Sequence, residues 1–320
     1  MGGVGGFSQA KPSAVLEFTG MADCFSRTLT TGADTFSPES ATAAYKTSAG
    51  DDTFRAPSDT YLKSEDYIDG GAGTDVLTAS ITAATQTIAP MIKNVESITL
   101  TIAAASSATT AIDATDIVGT NTLTIKNASV NYSASAEVTT VNNLAKTTVL
   151  AISGGSSSVA GSGPRIAANF ASAAAADTQN VAISTLGKLG VLTLSTAETV
   201  SISATGTGTT GANAIGSLAA IAVKTLNITG SGDLTIGDSD LAATPTINAT
   251  TATGVIGFTG ETAATTTIFN GGTGATTVTS ASTGIIKVTT GAGADTVNIS
   301  GSANSIPPVV RVNTNREAAC

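Results

Sequence analysis

Short runs in which apolar and polar residues alternate recur along most of the chain. Examples are ESITLTI (96–102), TLTI (122–125), TTVLAI (147–152), VAIS (181–184), VLTLS (191–195), TLNIT (225–229) and DLTIG (233–237). A period of two sends alternate side chains to opposite faces. The β-branched content, and the Gly, Asn, Asp or Ser at the ends of the runs, predict a strand for each. A helical period is nearly absent. The one helix predicted is ANFASAAAADTQN (168–180), where alanines favour helix.

The runs come at near-regular intervals. Towards the C-terminus the apolar centres fall at Ile268, Val278, Val288 and Val297, and the chain reads as rungs: GGTGATTVT (271–279), SASTGIIKVT (280–289) and TGAGADTVN (290–298). A unit this short buries a face only by stacking on its neighbours, which is the logic of a solenoid. A β-sandwich has similar strand spacing, but aromatics are 4% of the chain, too few for a sandwich core, and Ala, Val, Ile and Thr suit a narrow stacked one. The predicted fold class is all-β, a parallel β-solenoid, with Leu226, Ile228, Leu234, Ile236, Ile268, Val278 and Val288 pointing inward.

Composition narrows the chemistry. Charged residues are 12%, the net charge is −9, and there is no His. An acidic chain does not bind nucleic acid through its phosphates, and without His a Ser-His-Asp centre and the usual zinc sites are excluded. Two cysteines, Cys24 and Cys320, exclude a disulfide framework and leave room for a single bridge; they are read as incidental thiols. No apolar run reaches the ~18 to 20 residues of a membrane helix. The start, MGGVGGFSQAKPS, lacks the charged and apolar regions of a signal peptide, so a secreted protein is expected to leave by another route, or the chain to be a fragment. The basic residues are scattered singly, without the paired arrangement a polysaccharide lyase site needs, and no enzymatic role is expected.

One motif carries chemistry. The pattern G-G-x-G-x-D-x-U-x, with U a large apolar residue, forms calcium-binding turns in parallel β-rolls. Small residues expose backbone carbonyls, the aspartate adds a charged oxygen, and the apolar residue enters the core. Calcium takes 6 to 8 oxygens at about 2.3–2.6 Å, so adjacent turns must share each ion. GGAGTDVLT (70–78) matches in full, with Gly70, Gly71, Gly73 and Asp75. TGAGADTV (290–297) matches except for Thr290 in the first position, with Gly291, Gly293 and Asp295. TSAGDDTF (47–54) keeps Gly50 and Asp52, and TGADTF (31–36) keeps Gly32 and Asp34. The interval from Asp34 to Asp52 is two nonapeptides, one expected turn of a β-roll, so the two aspartates are expected to stack on one face. GGTGATTVT has Thr276 where an aspartate should be, so Asp295 is expected without an acidic partner one rung earlier, and turn capping is its other reading. GDSD (237–240) reads as a solvated turn, with ion binding as its other reading.

These motifs, together with DYIDGGAGTDVLTASI, NVESITLTI and VKTLNITGSGDLTIG, resemble Gram-negative surface-layer and RTX-type extracellular proteins over roughly residues 27 to 301. The resemblance implies a secreted, calcium-stabilised structural protein, often assembled into a lattice or fibre. The expected organisation is an irregular N-terminal segment (1–26), a calcium-binding module (27–80), a Thr/Ala/Gly-rich strand solenoid (81–301) and a tail (302–320). The expected cofactor is Ca2+. The expected partners are further copies of the chain, with cell-surface polysaccharide as a second class, and the expected location is the extracellular cell surface. An adhesin or a glycan- or ice-binding stalk is the alternative.

Overall fold

The computed structural model describes residues 24–82, 85–103, 109–128, 138–154, 163–171, 177–206, 213–242, 244–260, 266–280, 285–300 and 310–314. Across them the chain coils into a parallel β-solenoid, and the one helical element described is a single 3-10 turn at Ala43–Tyr45.

Three sheets run along the coil. A long sheet of 13 strands extends from Ser26–Thr28 to Val310–Thr314, and a companion sheet of 11 strands from Thr85–Ile88 to Thr296–Ile299. A short sheet of four strands (Thr35–Phe36, Tyr67–Asp69, Met91–Lys93 and Ile117–Val118) serves only the first coils. Every pairing between strands is parallel, because the rest of each coil supplies the long crossover that parallel pairing demands. In the coil before Tyr67, residues 57–64 stand in for a companion strand. Thr82 Oγ1 donates to Asp59 Oδ1 (2.7 Å), Ala89 N–H donates to Ser64 Oγ (2.9 Å), and Leu62 is buried beneath.

Alternation builds the core. Phe54, Leu77, Ile98, Leu123, Leu150, Val181, Ile202 and Ile228 pair in register and form one inward column of the long sheet, none more than 1% exposed. Each such burial is worth about 1.5–3 kcal/mol against an exposed side chain, so stacking rather than aromatic bulk supplies the stability. One contiguous cluster runs from Leu29 to Val288, and the long sheet continues without a break past residue 80.

Four expectations need correction. The rungs read from the sequence are half-coils: Thr266–Asn270 pairs with Ile285–Gly291 in the long sheet, while Thr276–Ser280 pairs with Thr296–Ile299 in the companion sheet. Successive rungs therefore lie on different sheets, and each stacks on the next but one. Of the seven inward positions expected, six are buried, but Ile268 faces outward and Phe269 takes the core. A one-residue shift exchanges the two faces of a strand, and the larger apolar side chain decides the parity. Among the described residues of 168–180 there is no helix: Arg165–Phe170 and Thr178–Leu186 are strands, in the companion and long sheets, and residues 172–176 lie outside the described residues. Finally, GDSD is not wholly a solvated turn. Ser239–Asp240 pairs with Leu218 and Ala219, and Ser239 is buried with its hydroxyl donating to Thr259 O (2.9 Å). The irregular segment expected at 1–26 lies almost entirely outside the described residues. In the expected tail, Val310–Thr314 is a strand of the long sheet.

Candidate functional site

Acidic residues recur at one kind of position, the last residue before a strand. Asp52, Asp75 and Glu96 precede strands of the long sheet, Asp34 and Asp66 precede strands of the short sheet, and Asp295 precedes Thr296–Ile299 of the companion sheet. Strand pairing stacks the first three into a column. Phe25 N–H donates to Asp52 Oδ1 (2.9 Å), Asp52 N–H to Asp75 Oδ1 (2.6 Å), and Asp75 N–H to Glu96 Oε2 (2.7 Å). Each carboxylate thus satisfies the backbone amide of the coil before it, which a buried corner requires. A second, shorter column has Asp34 N–H donating to Asp66 Oδ1 (2.9 Å).

Asp34 and Asp52 therefore do not stack on each other; they cap different sheets. Two nonapeptides do not make a full coil here. Thr53 pairs with Val76 and Thr35 with Tyr67, and both intervals are longer than that.

The motif turns fall into two kinds. In the first, a residue four before the aspartate consumes the carboxylate. Thr30 donates its N–H to Asp34 Oδ2 (2.6 Å) and its hydroxyl to Oδ1 (3.1 Å). Ser48 does the same for Asp52, N–H to Oδ2 (2.8 Å) and hydroxyl to Oδ1 (2.8 Å). In the second kind that position is glycine. Gly71 and Gly73 adopt φ of +93° and +128°, and Gly291 and Gly293 repeat this turn at +82° and +137°. These are values that L side chains rarely adopt. With no hydroxyl at residue 71, and with Gly71 N–H given to Asp69 Oδ1 (3.1 Å), Asp75 Oδ2 has no partner although the residue is fully buried. Asp295 Oδ1 accepts Thr276 N–H (3.0 Å), and the residue is half-buried; as expected, the residue opposite it is a threonine.

The surroundings of Asp75 are strongly negative. Burial, then the charges of Asp52, Glu96 and Asp51, raise its pKa to about 6, against the pull of the Asp52 N–H. Asp66 is also pushed up, first by burial and then by Asp34 and Glu65. A Cβ on Gly70 would stand 2.1 Å from the Asn94 carbonyl oxygen and 2.2 Å from Asp75 Oδ2. Only glycine fits there, and two acceptor oxygens face the same spot. Asn94 itself takes a left-handed conformation, φ +50°, and its amide donates to Asp69 Oδ1 (2.9 Å).

Among the described residues no three Asp, Glu, His or Cys side chains converge on one point. Around Asp75 the donors are a carboxylate oxygen without a partner, a main-chain carbonyl and the Glu96 carboxylate one coil on. This all-oxygen, anionic set fits a hard divalent cation whose remaining positions are filled by water. Glu96, Asn94 and Asp66 are not legible from the nonapeptide pattern. Their signal is weaker: an acid directly before an alternating run, and an Asn directly after one. Comparison with models of protein families, with curated proteins and with solved structures finds no match. No helix among the described residues is long and apolar enough to cross a membrane.

Proposed function

We propose that the chain is a structural, non-enzymatic extracellular protein, a β-solenoid ordered by calcium that assembles with copies of itself into a surface layer or filament. The observation that carries the reading is the stacked carboxylate column Asp52–Asp75–Glu96 with its one buried, unpartnered oxygen. Like charges one coil apart repel, and a bound divalent cation offsets that repulsion and supplies the missing partner. The resemblance of 27–301 to surface-layer and RTX-type proteins points the same way. Cell-surface polysaccharide is the second proposed partner.

One observation bears on the stalk or adhesin reading. Five neighbouring strands of the long sheet, from Val149–Gly154 to Thr246–Ala252, carry no charged residue, and Thr178, Thr199, Thr225 and Thr246 form one column. A flat array of hydroxyls suits a glycan or an ordered water layer. The neighbouring amide column, however, is turned inward on itself. Asn227 Nδ2 donates to Ser201 Oγ (3.3 Å), and Asn270 Nδ2 to Asn248 Oδ1 (3.1 Å). Amides engaged with one another hold coils together rather than reach for a ligand, which favours the structural reading.

Light scattering and electron microscopy in calcium, magnesium and chelator test the proposal. Sheets or fibres are expected with millimolar calcium, dissolving on chelation, with magnesium a poor substitute because it keeps its waters. A chain that stays monomeric in all three at high concentration overturns it.

A further inference from the structure

The two kinds of aspartate turn differ in what they leave unsatisfied. In the Thr30–Asp34 and Ser48–Asp52 turns both carboxylate oxygens accept donors from their own turn, and Asp52 Oδ1 accepts a third from the neighbouring coil. Each oxygen of these two carboxylates already has a hydrogen-bond donor. In the Gly71–Asp75 turn the same backbone position offers neither hydroxyl nor N–H, and a fully buried oxygen is left with the Asn94 carbonyl oxygen facing it. An oxygen pair with no proton between its members is repulsive in a low-dielectric corner unless a cation or a proton joins it. Glu96 stands one coil on, half-buried, with Oε2 taken by Asp75 N–H, and Asn94 is exposed, so the corner opens to solvent on that side.

We propose that the cation of the N-terminal coils is held at the corner of Asp75, Asn94 and Glu96, by Asp75 Oδ2, the Asn94 main-chain carbonyl and the Glu96 carboxylate, and that Asp34 and Asp52 lie outside its ligand set. This rests on the calcium reading above and departs from it in one respect. The ion lies on the C-terminal side of the complete motif turn, against a coil with no nonapeptide, instead of between two motif turns. Glu96, outside every motif match, becomes a ligand, and two of the motif aspartates become structural.

The test is calorimetric titration of the full chain with calcium chloride, using Glu96→Gln, Asp75→Asn, Asp34→Asn and Asp52→Asn. Far-ultraviolet circular dichroism reports on each variant's fold. Glu96→Gln is the decisive variant, because glutamine keeps an acceptor for Asp75 N–H and the site is half exposed. The proposal expects Glu96→Gln and Asp75→Asn to weaken the tight site by about tenfold or more, the scale on which ligand-supporting groups act, and Asp34→Asn to leave affinity and stoichiometry unchanged. If Glu96→Gln binds like the wild type while folded Asp34→Asn or Asp52→Asn loses an ion, the proposal is overturned and the calcium reading stands, with the ion between motif turns. If the wild-type chain takes up no calcium, both fall.

Discussion

The corners of the first coils and those of the later coils are held by different mixtures of charged and neutral groups. Before Thr122, carboxylates cap the backbone amides, as in Asp52, Asp75 and Glu96. Further along, carboxylate caps recur, with Asp177 N–H donating to Glu198 Oε2 (3.0 Å), Val255 N–H to Asp233 Oδ1 (2.7 Å) and Thr276 N–H to Asp295 Oδ1 (3.0 Å), but neutral groups join them. Thr120 Oγ1 donates to Val95 O (2.8 Å), Thr148 Oγ1 to Thr120 O (2.7 Å), and Gln179 Nε2 to Thr148 O (3.1 Å). At the other corner, where the chain passes from the long sheet to the companion sheet, bare glycine packs: Gly232, Gly254 and Gly274 each stack so closely on the preceding glycine of the column that a Cβ would meet its carbonyl oxygen at 2.5, 2.3 and 2.1 Å. A neutral ladder satisfies its polar groups at any pH and ionic composition. A carboxylate ladder gives charge-assisted hydrogen bonds, which are the stronger kind, but stacks like charges, so its stability depends on protons and cations. The two carboxylates pushed upward, Asp66 and Asp75, both lie in the first coils, which makes that end the more responsive one.

The largest effect expected in breaking this contrast is in the later coils. Val278 is 1% exposed in the companion sheet, and Val278→Asp strands an unpaired charge there, costing about 3–5 kcal/mol. Thermal melts should show the loss equally in calcium and in chelator; rescue by calcium would show that the later coils are not independent of it. Gly254→Ala is expected to cost about 1–3 kcal/mol, because the added carbon meets backbone that must shift. That loss too should be blind to calcium, and unchanged melting would mean the glycine column is not close-packed.

The smallest effect sharpens the contrast from the other side. The folded pKa of Asp75 lies above its ordinary 3.8, at about 6. The folded state therefore holds a proton that the unfolded chain releases between those values, and the contribution of Asp75 is fully present below about 3.8 and lost as pH rises through about 6. Asp66 shifts in the same direction. Asp113 shifts the opposite way, lowered first by the Asn143 amide and then by Thr115, so it contributes above its ordinary value and loses that as pH falls. In chelator, hydrogen exchange corrected for its intrinsic pH dependence should show residues 47–100 loosening between pH 4 and 7 while 180–250 changes less. Added calcium should abolish the trend. Equal pH response in both regions would remove the distinction.

The strands, their inward faces and the glycine-aspartate turns at 70–75 and 290–295 were legible in the sequence, because alternation and left-handed glycines are local requirements. Inward parity failed at Ile268, where two adjacent apolar residues satisfy either register and only packing chooses Phe269. The alanine run at 168–180 misled for a related reason: intrinsic helix preference is weak, and pairing on both sides draws the flanking residues into sheets.

The candidate site divides along the same line. The sequence by itself determined that this chain is a stacked parallel β protein, and which residues have turn-and-carboxylate chemistry, since each depends on a few consecutive residues. Which carboxylates meet was decided only by the tertiary structure. Coil length is not constant: Thr266 pairs with Ile285, whereas Leu150 pairs with Val181 across a distinctly longer stretch of chain. Loops between strands lengthen at little entropic cost, so spacing along the chain does not encode the register between coils. That register set Asp52 on Asp75 and Asp75 on Glu96, separated Asp34 from Asp52, and left one buried oxygen of Asp75 facing a carbonyl that no motif contains.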